Sequence, residues 1–371
     1  MKRWVLALVS ILLVFLLSSC GGKAPLEDLT LALILGVDLD DNNNLTFYEL
    51  DPVFSKGAKK GLEAYGVKAK TIRDSRRVFD GLTMGEVMAG KIQVLLVGER
   101  VLEQAGWFSI LDTVYRNPNF SMNTRVVAVK GTVSDVVFYN PGEKPDLSLY
   151  IKAMIDKSYD RTRAVKGTLQ ELHREVYEKG ITPAISEVKK EKKLELSGMT
   201  LLYNKGKYAA SLDVPESTLL LVLKNEKRHE VTMSIPIFPI EKEDNIFHKN
   251  VMSFQASKVK TKIKTGYKNN TFHFDVKVKM NVNIVERIFP EDKVKKAELV
   301  KLMEKELQKQ FTDLIKKIQK KKVDPIGFGL YARAYHYEQF KKVDNDWGKA
   351  LAESKINVSV NVKVNAYGAV K

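Results

Sequence analysis

Cys20 is the only thiol in a chain of 371 residues, and it stands directly after Leu17-Ser18-Ser19. A lone thiol closes no internal disulfide, so any chemistry it performs is directed outside the fold. Lys2 and Arg3 supply a short positive start, and Trp4 to Leu17 form an almost unbroken apolar run. That run is shorter than the ~20 residues a spanning helix needs. Charge, apolar run, small residues and cysteine, in that order, resemble an export segment ending in a lipobox. At such a site the thiol becomes a thioether to a diacylglyceryl group, and cleavage before it makes the cysteine the first mature residue. Two acyl chains anchor firmly, at ~0.8 kcal/mol per buried CH₂. The expectation is a signal peptide over 1–19, a lipidated tether over 20–28, and no cofactor beyond covalent diacylglycerol on Cys20. A buried N-terminal helix with an inert cysteine, or an uncleaved signal anchor, is the plainer alternative.

Metal chemistry has one candidate. Asp38-Leu-Asp40-Asp-Asn42-Asn-Asn44 with Glu49 places oxygen side chains at loop positions 1, 3, 5, 7 and 12 of a calcium-binding pattern. Position 6, where the sharp turn wants glycine, is Asn43, and both flanks read as strands. Asn and Asp also dominate ordinary hairpin turns, so a plain turn is expected, with calcium as the alternative. The five histidines (173, 229, 248, 273 and 336) have no paired spacing, so no zinc site is expected. No Walker A, complete GxGxxG or GxSxG sequence occurs, and Gly327-Phe-Gly329 is a fragment that reads as packing at a helix start. No catalytic residue is assigned.

Charge is the remaining resource. The formal net charge is +16, and residues 249–371 hold 27 Lys and Arg against 13 Asp and Glu, a net of +14. Such a bias usually raises nucleic acid, but export argues against it. Anionic membrane surfaces, cell-wall polymers or an acidic partner are left, each nearby lysine being worth about 1 kcal/mol at an anionic bilayer. Lys316, Lys317, Lys320, Lys321 and Lys322 crowd the end of one predicted helix, and this cluster is expected to face the membrane or a partner. A merely solvated lysine surface is the plainer reading.

The elements that must position these groups fall into two kinds. Over 29–187 apolar runs alternate with helical spacing: strands at Leu29–Val37, Leu45–Leu50, Ile92–Val97 and Thr124–Val129; helices at Arg73–Ala89 and Val101–Tyr115, the latter broken near Gly106-Trp107. Val53–Val67 reads as a loop or short helix. After a break at Asn140–Pro145, which is a possible sub-boundary near 140–146, two helices follow at Leu147–Tyr159 and Thr168–Lys179. This is a mixed α/β layer. The charged stretch 187–193 reads as a linker.

Residues 194–371 differ. Leu194–Tyr203 and Lys207–Leu212 predict a hairpin, and Thr218–Leu223 and Val231–Phe238 further strands. Phe272 to Ile284 and Ile356 to Val364 alternate with period 2, each a strand with one buried and one wet face. Between them, Val300, Met303, Leu307, Phe311, Leu314 and Ile318 form one helical stripe behind Pro290, Glu291 and Asp292. Asp324-Pro325 reads as the N-cap and first residue of a shorter helix. The fold class expected is α+β or mixed α/β and multidomain, with a C-terminal antiparallel sheet packed on a long amphipathic helix. Trp347 and Phe328 are expected in its core.

These residues carry a family resemblance. The Cys20 motif, Leu33-Ile-Leu-Gly-Val-Asp38, Gly90-Lys-Ile-Gln-Val-Leu-Leu-Val-Gly98, Leu196-Ser-Gly198 before Leu202-Tyr203, and Asp324-Pro-Ile-Gly-Phe-Gly329 with Tyr331, Trp347 and the Ile356–Val364 strand resemble the Ger(x)C lipoproteins. The chain departs from them at Ala332–Tyr337 and Lys341–Asp344, where an Arg-rich segment and a proline are frequent. The resemblance implies a non-catalytic C subunit of a nutrient germinant receptor, on the outer surface of the inner spore membrane of an endospore former. It implies binding to integral membrane A and B subunits and a role in the germination response. A lipid-anchored solute-binding protein of a transporter is the alternative.

Overall fold

The computed structural model describes residue 4 and residues 29–53, 61–83, 85–142, 146–226, 230–238, 250–289 and 294–366. Strands β1 (Leu29–Leu31), β2 (Ile34–Leu39), β3 (Leu45–Pro52), β4 (Leu62–Lys68), β5 (Glu86–Met88), β6 (Val94–Gly98), β7 (Arg125–Lys130), β8 (Ala184–Lys190), β9 (Leu194–Leu202) and β10 (Tyr208–Asp213) come first in the chain. Eight of them form one sheet in the order β10-β9-β8-β7-β6-β2-β3-β4, while β1 and β5 pair in parallel beside it. The central strands β8, β7, β6 and β2 run parallel and the flanking pairs antiparallel. Parallel strands covered on both faces need apolar residues at successive positions. Accordingly, Leu95 and Val97 enter one core layer, and Val94 and Leu96 the other.

Helices cover both faces. On the Leu95 side lie α1 (Ile72–Asp80), α2 (Glu99–Leu102) and α3 (Asp112–Arg116), with Phe79, Leu102 and Val114 buried. On the Leu96 side lie α4 (Val133–Val137) and α5 (Leu147–Asp160), burying Val133, Ile151 and Ile155. The α6 helix (Leu169–Tyr177) returns to the first face through Leu169 and Leu172, after a capping box between Thr168 and Glu171. The expected break near Gly106 is present, because Gly106 takes φ +81° between α2 and the turn at Trp107–Leu111.

Several local expectations are corrected. Leu29–Val37 is two strands in different sheets. Within Val53–Val67, expected as loop or short helix, the edge strand β4 begins at Leu62 and runs on to Lys68. The helix expected over Arg73–Ala89 ends at Asp80, and Val87 belongs to β5. The charged stretch 187–193 is not a linker, since β8 runs to Lys190 inside the large sheet, which continues into β9 and β10. Thr218–Leu223 is helical: α7 (Val214–Leu223) opens with an Asp213–Glu216 capping box and a proline in its first turn. Leu219 to Leu223 are all buried, so the segment has no polar face from which to read period 3.6.

The C-terminal layer is a four-stranded sheet of β11 (Val231–Pro236), β12 (Val251–Lys268), β13 (Thr271–Arg287) and β14 (Lys355–Ala366), in that order. It is antiparallel except for the last pair, where β14 runs parallel to β13. The long helix α8 (Lys296–Lys321) buries Met303, Leu307, Phe311, Leu314 and Ile318 in the same core as the sheet's apolar residues, as the stripe predicts. It begins six residues after Pro290, and Glu291 and Asp292 lie outside the described residues. Short helices α9 (Phe328–Tyr335), α10 (Tyr337–Lys341) and α11 (Trp347–Glu353) join α8 to β14.

β12 is not legible from strict alternation. Met252, Phe254 and Ala256 point inward at even positions, but Val259 does so at an odd one. A bulge between Ser257 and Lys260, with Lys258 at φ 46°, supplies the extra residue. Because the side-chain period is 2, that one residue turns Lys260, Lys262 and Lys264 outward.

Candidate functional site

Cys20 and the tether over 20–28 lie outside the described residues. Among the described residues no helix is long and apolar enough to cross a membrane.

The calcium pattern is dispersed. Asp38 is buried and accepts backbone hydrogen bonds from Leu39 (2.8 Å) and Val133 (2.8 Å). Burial pushes its carboxyl up, against those two donors. Asp40 forms an Asx turn, accepting from the backbone of Asn42 (2.9 Å) and Asn44 (2.8 Å), and pairs with Lys68 at 2.5 Å. The Lys68 ammonium holds it well below the usual carboxylate range. Glu49 sits inside β3, and the described residues contain no cluster of three or more His, Cys, Asp or Glu groups able to hold a metal ion. The stretch is a hairpin turn between β2 and β3.

Glu49 is unusual for another reason. It is 5% exposed, and its Oε2 has no hydrogen-bond partner among the described residues. Burial, then the neighbouring Asp51, pushes its carboxyl up to about 9. Asp51, with neither oxygen hydrogen-bonded among the described residues, is pushed to about 7 by burial and by Glu63. Glu49 borders a cleft of about 760 Å³ that Arg73, Arg76, Asp80, Asp112 and Arg116 also line. Arg116 is already paired with Asp112 and Arg76 donates to the Val87 carbonyl.

A second carboxylate organises the C-terminal core. Asp324 is fully buried, and its Oδ1 accepts from the backbone of Gly327 (2.8 Å) and Phe328 (3.0 Å). Its Oδ2 accepts from Gly329 N (2.8 Å) and from the Trp347 indole (2.7 Å). Thr182, beside β8, accepts from Asp324 N and donates its own N–H to the Asp324 carbonyl, each at 2.9 Å. The capping role expected of Asp324 is real but displaced: the residue in the N-cap position is Gly327, in the left-handed region at φ +88°. Gly329 has no room for a side chain, since a Cβ would lie 2.7 Å from Gly180 Cα and 2.8 Å from the Trp347 indole nitrogen. Gly-Phe-Gly is thus a packing device. Phe328 and Trp347 are core residues, against Phe274 and Phe272 respectively.

The lysine-rich helix end is split. Lys317 is committed internally, to both Glu216 oxygens (2.8 and 2.7 Å) and the Ser211 carbonyl (3.0 Å). Lys316, Lys320, Lys321 and Lys322 are exposed. The larger basic surface lies elsewhere. On the outer face of the C-terminal sheet, Lys260 stands directly opposite Lys279, and Lys262 opposite Lys277. Lys264 faces Asp275, while Lys355 and Lys363 continue the face on β14. All seven lysines are exposed. No ion pair involves any of them among the described residues. Alternation over Phe272–Ile284 is the signal for half of this face; the β12 half is hidden by the bulge.

Comparison with known proteins finds matches over nearly the whole chain. The family model for the spore germination protein N-terminal domain matches residues 22–190. The model described as spore germination B3/GerAC-like, C-terminal, matches residues 197–368. Spore germination protein GerQC of Bacillus cereus is 24% identical over 379 residues, covering 99% of both chains. Spore germination protein KC of Bacillus subtilis is 22% identical over 401 residues, covering 99% of this chain and 96% of the relative. The crystal structure of the GerBC protein superposes with a TM-score of 0.58 at 17% identity, over 89% of this chain and 96% of that one, and shows the same fold. With both halves matched in order, the chain belongs to the Ger(x)C family of spore germination proteins.

Proposed function

We propose that this chain is the lipid-anchored C subunit of a nutrient germinant receptor, held by diacylglycerol on Cys20 at the exported face of the inner spore membrane. It docks on integral A and B membrane subunits and performs no catalysis. The observation that carries this reading is the match of both family regions, in order, over nearly the whole chain. The Cys20 motif supports the anchor, and the hydrogen bonding of three buried acids supports a structural role for those three. Asp38 and Asp324 are satisfied by backbone and indole donors, and Glu187 by the hydroxyls of Ser197, Thr200 and Ser211. Lys316, Lys320, Lys321 and Lys322 present a compact positive end to acidic groups on a membrane subunit, with Lys317 fixing that end to α7. The solute-binding alternative has no support in the family matches.

Deleting the gene from the spore former that carries it tests this function. Spores without the chain are expected to lose germination to at least one nutrient that triggers the parent, with recovery on re-supply. Unchanged germination to every triggering nutrient would contradict it.

A further inference from the structure

The outer face of the C-terminal sheet has an arrangement that a folded domain does not need. Neighbouring strands lie ~4.8 Å apart and alternate residues ~7 Å apart, so Lys260, Lys262, Lys277 and Lys279 form a tight rectangular array. Like charges directly opposite each other on a sheet are destabilising. The bulge at Lys258 nevertheless turns the β12 lysines onto the face that already carries Lys277 and Lys279. Asp275, opposite Lys264, is the acid within this register, and it also accepts from Asn357. Lys355 and Lys363 extend the array across β14. The opposite face is occupied, because its apolar residues pack with α8 in one core.

We propose that this lysine face lies against an anionic phospholipid bilayer and sets the orientation of the C-terminal layer on the membrane. The proposal rests on the Cys20 anchor described above. From the anchor, residues 20–28 can span at most ~30 Å, which keeps the body close to headgroups. A bilayer suits the array better than a protein does. Headgroups move laterally and gather under a regular grid of lysines, whereas a protein would need fixed carboxylates in matching register. Screening over ~8 Å at physiological salt confines the attraction to near contact, so the anchor brings the face within range and the lysines then fix the tilt.

Full-length protein extracted in detergent from its own membranes and returned to phosphatidylcholine vesicles, with or without added phosphatidylglycerol, tests the proposal by brief amine acetylation and peptide mass analysis. Labelling of Lys260, Lys262, Lys264, Lys277 and Lys279 should slow by roughly fivefold or more when phosphatidylglycerol is present, the ratio that about one surface-held lysine supplies. High salt should abolish the protection. Lys305 and Lys316, on the α8 side, should label equally in both vesicles. In a Lys262→Glu, Lys277→Glu, Lys279→Glu variant, all three positions being exposed, protection at Lys260 and Lys264 should disappear. Equal labelling of the sheet lysines in both vesicles, with the protein retained on each, overturns the proposal in favour of an acidic protein surface. Protection that survives the triple substitution overturns it too. A protein that sediments only with phosphatidylglycerol vesicles, with the same protection, supports the lysine face while refuting the anchor. Sedimentation with neither refutes both.

Discussion

The Trp347 indole donates to Asp324 Oδ2 at 2.7 Å, tying α11 to the loop before α9. Three backbone donors converge on the same carboxylate, and the Asp324 backbone exchanges two hydrogen bonds with Thr182. One residue therefore fixes the start of α9 and the position of α11 through its carboxylate, and the seam beside β8 through its backbone. Burial pushes its carboxyl up while those four donors oppose the shift. Asp324→Asn puts an amide donor where donors already point, and should cost about 2–4 kcal/mol. Trp347→Phe should cost about 1–3 kcal/mol through loss of the indole donor to a buried carboxylate, and Trp347→Ala about 3–5 kcal/mol through lost packing. Denaturant unfolding checks the order. Full stability in Trp347→Ala together with lost function would make Trp347 a contact residue instead.

Glu49 sets a pH dependence. Its pKa rises from an ordinary 4.5 to about 9 on folding, so between those values the folded state holds a proton that the unfolded chain has lost. Stability is then greatest below pH ~4.5 as far as this group is concerned, and falls as pH rises towards 9, with a limiting slope of ~1.4 kcal/mol per pH unit. Asp51 adds the same trend between 3.8 and about 7. Glu49→Gln, which mimics the protonated form, should flatten the upper part of this decline. Melting temperatures from pH 5 to 9 measure it, and parallel curves for wild type and variant would contradict the assignment.

The bulge at Lys258 makes opposite predictions for two small changes. Lys258 stands at φ 46°, a left-handed conformation costing a non-glycine residue ~1–2 kcal/mol. Lys258→Gly should be neutral or slightly stabilising. Deleting Lys258 shifts the parity of one flanking segment, driving Lys260, Lys262 and Lys264 toward the core or Met252, Phe254 and Ala256 out of it, and should abolish folding of the layer. Circular dichroism of the two proteins distinguishes them. A folded deletion variant would mean that register is set by something other than the apolar face.

Much of this is legible in the sequence, for reasons visible in particular residues. The α8 stripe and the β13 alternation each have one wet and one dry face, so the period shows in the sequence. The α7 helix, buried along Leu219 to Leu223, shows no period, and β12 changes phase at its bulge. β8 hides behind charge because Glu187 is buried yet satisfied by three hydroxyls, Ser197, Thr200 and Ser211. The Lys316–Lys322 run is conspicuous as a string, yet Lys317 is tied to Glu216. The larger basic face is assembled from three strands and exists only after pairing.

Cys20→Ala should leave the chain unprocessed, with its N-terminal segment attached. Mass analysis of the N-terminal peptide from membrane-extracted wild type should find residue 20 first and carrying diacylglyceryl. An intact 1–19 segment on a functional protein would remove the anchor.

The receptor assignment is tested most directly by recovering the chain from spore membranes. A tagged, functional copy extracted in mild detergent should bring down two integral membrane proteins in amounts close to its own, and do so reproducibly from dormant spores. Recovery of the tagged chain alone, under conditions that keep other membrane complexes intact, would contradict the account.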